Sequence, residues 1–291
     1  MIDEPRNICH HKILGVGMPD KVVVKQHGVN LAYYRIGIPG MKGFWEEHWG
    51  SEDGNVESLL ARFSTGYLGR GPLKGSLLRY LPREGIILEA GCGLGQYVAA
   101  LRERGYDCRG VDFAAETLKR VLRIKPGLPV QVVDIRSLPY SDGGISGYIS
   151  LGVMEHFPEG PEALLREAYR VLRADGVMVV SVPQVFPWRW CEVAEREVTT
   201  DSEFYQYAFD PEFFRDKLRT VGFTIVGEAG YDSWFAIESK FAFCKRLAQR
   251  VPRLSLIGRL IDYSPWWGRF ARMRIFVTMK HSRGMAVKSK T

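Results

Sequence analysis

The chain has 291 residues, 46% hydrophobic and 25% charged, with 31 glycines and 15 prolines. That is enough apolar content for a sizeable core, and it excludes disordered, collagen-like and small disulfide-stapled classes. Net charge is +7, but 13 lysines and arginines against only Glu238 and Asp262 fall between Trp234 and Thr291, so the basic character belongs to the C-terminal stretch.

Cys9, Cys92, Cys108, Cys191 and Cys244 form an odd set without a Cys-x-x-Cys pair, which fits a reducing cytoplasm better than a disulfide framework or a zinc knuckle. The start, MIDEPRNICHHK, lacks the basic and apolar regions of a signal peptide. No run approaches the roughly 18 consecutive apolar residues of a spanning helix, so a protein integral to a membrane is not expected. Cys9, His10 and His11 are adjacent residues and a poor metal shell; no metal is expected.

In chain order, KVVVK and NLAYYRI flank Gln26-His27-Gly28 and read as a hairpin in an N-terminal extension over 1–43. GFWEEHWG follows, then a helical stretch around Val56 to Phe63. From Gly85 the chain alternates GIILEA, a helix over 96–104, CRGVDF, a helix over 115–123, VQVVDI, SGYISLG, a helix over 162–172 and GVMVVSV. Short Val/Ile-rich runs separated by helical segments specify an α/β, Rossmann-like doubly wound sheet, mostly parallel. Ligands of such sheets bind at the carboxyl ends of the strands. Asp210-Pro211 opens a further helix that feeds a sixth strand, GFTIVGE.

The first strand runs into Glu89-Ala90-Gly91-Cys92-Gly93-Leu94-Gly95-Gln96. Gln96 stands where a dinucleotide fingerprint needs a third small residue, which weakens a nicotinamide reading. Asp112 ends the second run about twenty residues later, where a carboxylate can accept both hydroxyls of a ribose. Asp134 ends the third, where it could accept from the exocyclic amine of adenine, with Phe113 and Ile135 flanking the ring.

On EAGCGLG, GVDF, VVDIRSLPYSDGGISGYISLGVMEHF and LLREAYRVLRADGVMVVSVP, the chain resembles the class I S-adenosylmethionine-dependent methyltransferases, in the small-molecule branch similar to ubiquinone and menaquinone biosynthesis methyltransferases. The resemblance covers 85–183 and implies S-adenosyl-L-methionine as cofactor. It implies that Glu89, Gly91, Gly93 and Gly95 cradle the methionine part and sugar, Asp112 the ribose, Asp134 and Ile135 the adenine, and that Phe113 packs on the ring. Leu151 and Gly152 would pass the methionine end. Relatives usually carry a bulky residue where Gly143-Gly144 stand, which leaves the start of the fourth strand open.

His156, in GVMEHF, is the candidate general base, since an imidazole suits proton removal near neutral pH; an equally simple role is to cap the following segment. Relatives use a segment such as Trp45 to Trp49 as a lid, and they close the acceptor pocket near Tyr205, Gln206 and Tyr207. On a helix Trp45 and Trp49 would share one face, so packing on the core competes with ligand contact.

The sixth and seventh strands of this fold usually form a tight hairpin, whereas the seventh, Met273 to Lys280, comes about forty residues after the sixth and is expected to be antiparallel. Within the insertion over 234–268, Trp234, Ile237, Phe241, Cys244, Ala248 and Val251 share one helical face, with Lys240, Lys245, Arg246 and Arg250 elsewhere. That pattern fits a lid packed on the core or a basic amphipathic contact with an anionic membrane surface. The chain thus divides into the extension 1–43, a core with lid segment 44–233, the insertion 234–268 and a last strand with basic tail 269–291.

The expected function is methyl transfer to a small-molecule or lipid- or carrier-linked acceptor, with oxygen favoured by His156. The expected location is the cytoplasm, with a peripheral membrane contact through 234–268. The rivals are an RNA methyltransferase, prompted by the basic tail but without an appended RNA-binding motif, and a non-catalytic cofactor-binding interaction subunit.

Overall fold

The computed structural model describes residues 22–36, 45, 68, 71–186, 198, 202–233 and 268–281. Among them, ten strands form two sheets. The larger has β3 (Ile86–Ala90), β4 (Asp107–Asp112), β5 (Val130–Val132), β6 (Ile145–Leu151), β7 (Leu172–Pro183), β9 (Phe223–Tyr231) and β10 (Met273–Lys280). Its order is β5-β4-β3-β6-β7-β10-β9. Pairing from β5 through β7 is parallel, and β10 runs antiparallel to both β7 and β9. This is the doubly wound sheet expected from the sequence, and β6 begins at Ile145, directly after the Gly143-Gly144 pair.

The α-helices among the described residues are α1 (Gly71–Tyr80), α2 (Gln96–Arg102), α3 (Ala115–Ile124), α4 (Glu162–Val171) and α5 (Pro211–Val221). Successive strand residues point to opposite faces, so Ile87 and Leu88 belong to different cores. Ile87, Ile149, Val179 and Val277 pack with Leu77, Val98, Leu101 and Leu118 from α1, α2 and α3. Leu88, Tyr148, Val180 and Phe276 pack with Leu164, Leu165, Phe214 and Leu218 from α4 and α5. Coverage of both faces explains why ISGYISL is buried along almost its whole length instead of alternating. In α5 the side chain of Asp210 accepts from the Glu212 and Phe213 N–H groups, Pro211 opens the first turn, and Gly222 ends it in the left-handed region at φ 111°.

The smaller sheet was only half legible. Strands β1 (Val22–His27) and β2 (Asn30–Ile36) form the expected hairpin, with Gly28 at φ 60° in the turn. They do not stand apart: β2 pairs antiparallel with β8 (Ser202–Ala208), which contains Tyr205, Gln206 and Tyr207. The Phe209 N–H donates to the Pro183 carbonyl and the Phe209 carbonyl accepts from the Val185 N–H, joining the small sheet to the large one at the end of β7.

Near the carboxyl end of β7, Gln184 donates to the carbonyls of Gly268 and Ala271 and accepts from Arg274 Nε. Arg272 pairs with Asp232 at 3.4 Å. The end of β9 and the start of β10 are thereby fixed beside each other. The segment expected to form the amphipathic insertion, the helix around 56–63, Trp49 and the Cys9-His10-His11 run lie outside the described residues. Among the described residues no helix is long and apolar enough to cross a membrane, and no cluster of side chains could hold a metal ion.

Candidate active site

At the carboxyl ends of β3, β4 and β6 lies a cavity of about 510 Å³, a volume typical of small-molecule and cofactor sites. Its wall is built from the strand-to-helix turns. Gly91 and Gly93 come from the turn after β3, Asp112 and Phe113 from the end of β4, and Asp134, Ile135 and Arg136 from the segment after β5. Leu151, Gly152 and Val153 follow β6, and His156 to Glu159 together with Trp45 close one side.

The glycine turn is tight for two reasons. Gly91 sits at φ 82°, and a Cβ there would fall 2.5 Å from Val153 Cγ2, so this position needs both the left-handed conformation and the missing side chain. The Gly91 and Cys92 N–H groups both donate to the Val111 carbonyl. Gly95, at φ 68°, would meet Leu128 at 2.9 Å; its role is to seat the start of α2 against the 128–130 turn, and it is not part of the cavity wall.

Glu89 also lies behind the wall. It is 3% exposed, and Oε2 accepts from the Val98 N–H at 3.2 Å, in the first turn of α2. Burial holds its carboxyl well above the ordinary carboxylate range, opposed by that N–H and reinforced by the charge of Asp112. In this arrangement Glu89 fixes the helix that follows the glycine turn.

Asp112 is on the wall and locks the turn from the other side. Its Oδ2 accepts from the Gly93 N–H at 2.8 Å and its Oδ1 from the Ala114 N–H at 2.9 Å. Burial raises its pKa, opposed by the N–H groups of Ala114, Gly93 and Phe113. Each oxygen keeps acceptor capacity beyond its backbone bond, which is the donor-set match for a ribose diol.

Asp134 is exposed and bound by its neighbour Arg136, whose Nε and Nη2 approach it at 3.0 and 2.7 Å. That guanidinium holds the carboxyl below its ordinary range, burial opposing. Arg136 also reaches Glu159 at 3.7 Å and lies over the Phe157 ring. Asp134 therefore offers adenine a partly committed carboxylate. Arg136, Val153 and Phe157 to Glu159 were absent from the sequence-based site; the signal available was their adjacency to Ile135, Gly152 and His156.

His156 ends a 3-10 turn, Met154–His156, just after β6. Its Nδ1 is 2.7 Å from the Tyr205 carbonyl, and its ring meets the edges or faces of Trp45 at 4.9 Å and Tyr205 at 5.2 Å. Tyr205 and Gln206 are buried, and the Tyr207 hydroxyl donates to the Pro158 carbonyl at 2.9 Å. Strand β8 thus braces the His156–Pro158 segment from outside, with Tyr205 in contact with His156.

Residues 88–180 match the methyltransferase-domain family. A probable S-adenosylmethionine-dependent methyltransferase of Mycolicibacterium smegmatis is 29% identical over 97 residues, 33% of this chain and 37% of that protein. The cavity at the glycine turn, the sheet order and these matches coincide on the same stretch. The α/β core is a class I S-adenosylmethionine-dependent methyltransferase domain.

S-adenosyl-L-methionine is the cofactor of this domain. An uncharacterised protein of Methanocaldococcus jannaschii is also 29% identical, over 36% of this chain and 39% of its own length. The chain spans less than two fifths of the length of these curated relatives. Among solved structures, a chain of the complex between the Haloferax volcanii Trm112 methyltransferase activator and a methyltransferase superposes with a TM-score of 0.53 at 15% identity, covering 84% of this chain and 97% of that one. A Haemonchus contortus phosphoethanolamine N-methyltransferase, solved with phosphomonomethylethanolamine and S-adenosylhomocysteine, gives 0.53 at 13% identity, covering 89% and 71%. At these identities the superpositions speak for the fold of the methyltransferase domain alone.

Proposed function

We propose that the protein transfers a methyl group from S-adenosylmethionine to a small-molecule or lipid- or carrier-linked acceptor, at oxygen, with His156 as general base. The observation that carries this reading is the placement of His156 beside Leu151 and Gly152 on the wall of the same cavity as the glycine turn and Asp112.

The cofactor supplies an electrophilic methyl group on a sulfonium centre. The chain's own residues supply position and proton chemistry. Asp112 and the backbone of 91–93 hold the sugar side. Trp45 and the Tyr205 ring keep the imidazole in one orientation, and a hydrogen bond from Nδ1 to the Tyr205 carbonyl leaves Nε2 as the basic nitrogen. Holding the acceptor against the methyl group accounts for much of the acceleration available to such a displacement.

Titration calorimetry with S-adenosylmethionine, S-adenosylhomocysteine and NADH, followed by screening acceptors for S-adenosylhomocysteine release, tests the reading. With an acceptor that must lose a proton, His156→Ala is expected to lower kcat by about 100-fold or more while cofactor affinity changes little. Full activity of that variant would remove the base assignment.

Residues 234–268 are proposed to roof the acceptor side and to touch an anionic membrane at its cytoplasmic face. The support is the basic amphipathic pattern together with the anchoring of Gly268 to Gln184 and of Asp232 to Arg272. Sedimentation with anionic vesicles is expected to pull the protein down at low salt and release it at high salt; no sedimentation at low salt would end the membrane part.

A further inference from the structure

We propose that Glu167 and Arg170 of α4 are positioning residues for the cofactor, which set, through the backbone of 138–142, the turn that meets adenine and with it the preference for adenine over other purines. Neither residue lines the cavity. The inference rests on the placement of adenine against Asp134 and Ile135.

The cavity wall at that end is a single turn. The Ser137 N–H donates to the Asp134 carbonyl at 3.0 Å, and the Arg136 N–H donates to Asp134 Oδ1 at 2.9 Å. Asp134, Ile135 and Arg136 face the cavity from it. The start of the turn is held by β4, through the Val133 N–H on the Asp112 carbonyl at 2.9 Å. The Asp134–Arg136 pair moves with the turn, and exposed pairs of this kind contribute little in solvent. Ile135 and Leu138 are each 5% exposed and belong to the core that contains Leu164 and Leu165 of α4. Burial of apolar surface is non-directional, so it leaves the orientation of the peptide groups open.

That orientation is fixed from α4. Leu138 follows Ser137 directly, and its N–H donates to Glu167 Oε1 at 2.6 Å. Its carbonyl accepts from Arg170 Nη2 at 3.1 Å, so the donor and the acceptor of one residue are gripped by one pair of side chains. Arg170 Nη1 donates to the Tyr140 carbonyl and to Asp142 Oδ1, each at 2.8 Å. The two gripping residues are locked to each other, Arg170 Nε and Nη2 donating to the two Glu167 oxygens at 2.8 and 2.7 Å. The Gly143 N–H, from a residue at φ 69°, closes the set on the Arg170 carbonyl at 2.9 Å.

Bonds with a charged partner are about twice as strong as neutral ones, and a paired fork adds direction to strength. The guanidinium also holds the Glu167 carboxyl below its ordinary range, burial opposing, so the clamp is charged at neutral pH. Discrimination by hydrogen bonding requires groups held to about half an ångström. A turn free to slide could re-form around the wrong purine; one held at both ends cannot.

S-adenosylhomocysteine and S-inosylhomocysteine test this, because the second carries a carbonyl oxygen in place of the exocyclic amine and brings an acceptor against the Asp134 carboxylate. By calorimetry the wild type is expected to bind the first at least about tenfold more tightly. Arg170→Lys keeps the charge but loses the fork, and Glu167→Gln keeps the shape but loses one acceptor. Each is expected to bind S-adenosylhomocysteine about tenfold more weakly and to lower the ratio between the two ligands by about threefold or more. Lys280→Met is the control for a merely structural role. Lys280 Nζ donates to the Tyr169 and Leu172 carbonyls, so its loss loosens the end of the same helix away from the clamp and should leave the ratio unchanged. A wild type without the preference, clamp variants that keep the ratio, or a Lys280→Met that lowers it equally would overturn the proposal.

Should the clamp variants misfold, the wild type alone gives a second reading by NMR. Arg170 lies outside the cavity, yet its Nε–H signal and the Leu138 amide are expected to shift on saturation with S-adenosylhomocysteine. They should stay in place with S-ribosylhomocysteine, the same molecule without adenine. Signals that move with both ligands or with neither overturn the clamp. If S-adenosylhomocysteine does not bind the folded wild type, the cofactor placement and the clamp fall together. Turnover with a ratio that the clamp variants leave unchanged retires the clamp and keeps the methyl-transfer reading. A ratio that falls in those variants, without turnover on any acceptor, keeps the clamp and retires that reading.

Discussion

Asp112→Asn is expected to weaken binding of both S-adenosylmethionine and S-adenosylhomocysteine by about 100-fold or more, a loss close to that of Asp112→Ala. The reason is the way the carboxylate is used. One oxygen accepts from the Gly93 N–H and the other from the Ala114 N–H, so both ends of the group must be acceptors. An asparagine can satisfy only one of them, and its amide nitrogen would then point a donor at the remaining backbone donor. Hydrogen bonds to a charged group contribute roughly 1.5 to 3 kcal/mol each, and a buried N–H left unmet costs about 1 to 3 kcal/mol. Distortion of the glycine turn comes on top, because Gly93 is held by Asp112. Asp134→Asn is the internal contrast: that carboxylate is exposed and already shared with Arg136, an arrangement worth little in solvent, so a change of less than about tenfold is expected. Calorimetry on the two variants checks both, and equal losses would mean that Asp112 does not hold the turn that binds the cofactor.

The contrast between these acids marks what the sequence could and could not convey. Strand ends and acids repeat at regular intervals, so the α/β sheet and the positions of Asp112 and Asp134 were legible from periodicity and spacing. The division of labour among the acids was not. Glu89 and Asp112 look alike in sequence, yet one turns its oxygen to the Val98 N–H behind the loop and the other faces the cavity. Strand periodicity fixes which face a residue occupies only when the exact end of the strand is known, and the acids sit at those ends. Gly91 and Gly95 likewise share a left-handed φ, but their neighbours, Val153 and Leu128, come from distant parts of the chain.

The same limit explains β8. Resemblance alone places Tyr205, Gln206 and Tyr207 near the acceptor pocket, and not as a strand, whereas the hairpin of residues 22–36 was visible. Their pairing joins segments about 170 residues apart in register Tyr33 to Gln206, and no local pattern reports such a partner. Yet this pairing presents the Tyr205 carbonyl to His156. The candidate base was therefore readable as a residue type after β6, while the contact that fixes its tautomer was not. Glu155 is the extreme case, since a Glu-His pair in a polar-looking turn gives no sign that its acid is buried.

That burial carries a second expected result: Glu155→Gln should be progressively more stable than the wild type as pH rises from about 5 to 8. The folded protein raises this carboxyl from its ordinary 4.5 to about 8, so between those values the native state binds a proton that the unfolded chain has released. Native stability of the wild type must then fall with rising pH across that window, and level off above it. Below 4.5 both states are protonated and the acid contributes no slope. A rise of this size corresponds to roughly 5 kcal/mol at full expression, and relaxation around the ionised carboxylate reduces what is measured to on the order of 2 to 5 kcal/mol. Glutamine has nearly the same shape and no titration. Its own cost of burial is the same at every pH, so the difference between the two denaturation curves isolates the carboxyl. Urea unfolding at pH 5, 6.5 and 8 measures it. Parallel pH dependences would mean that Glu155 finds enough partners or water to ionise in the folded state near its ordinary value, and the buried acid behind His156 would then have no proton to hold at neutral pH.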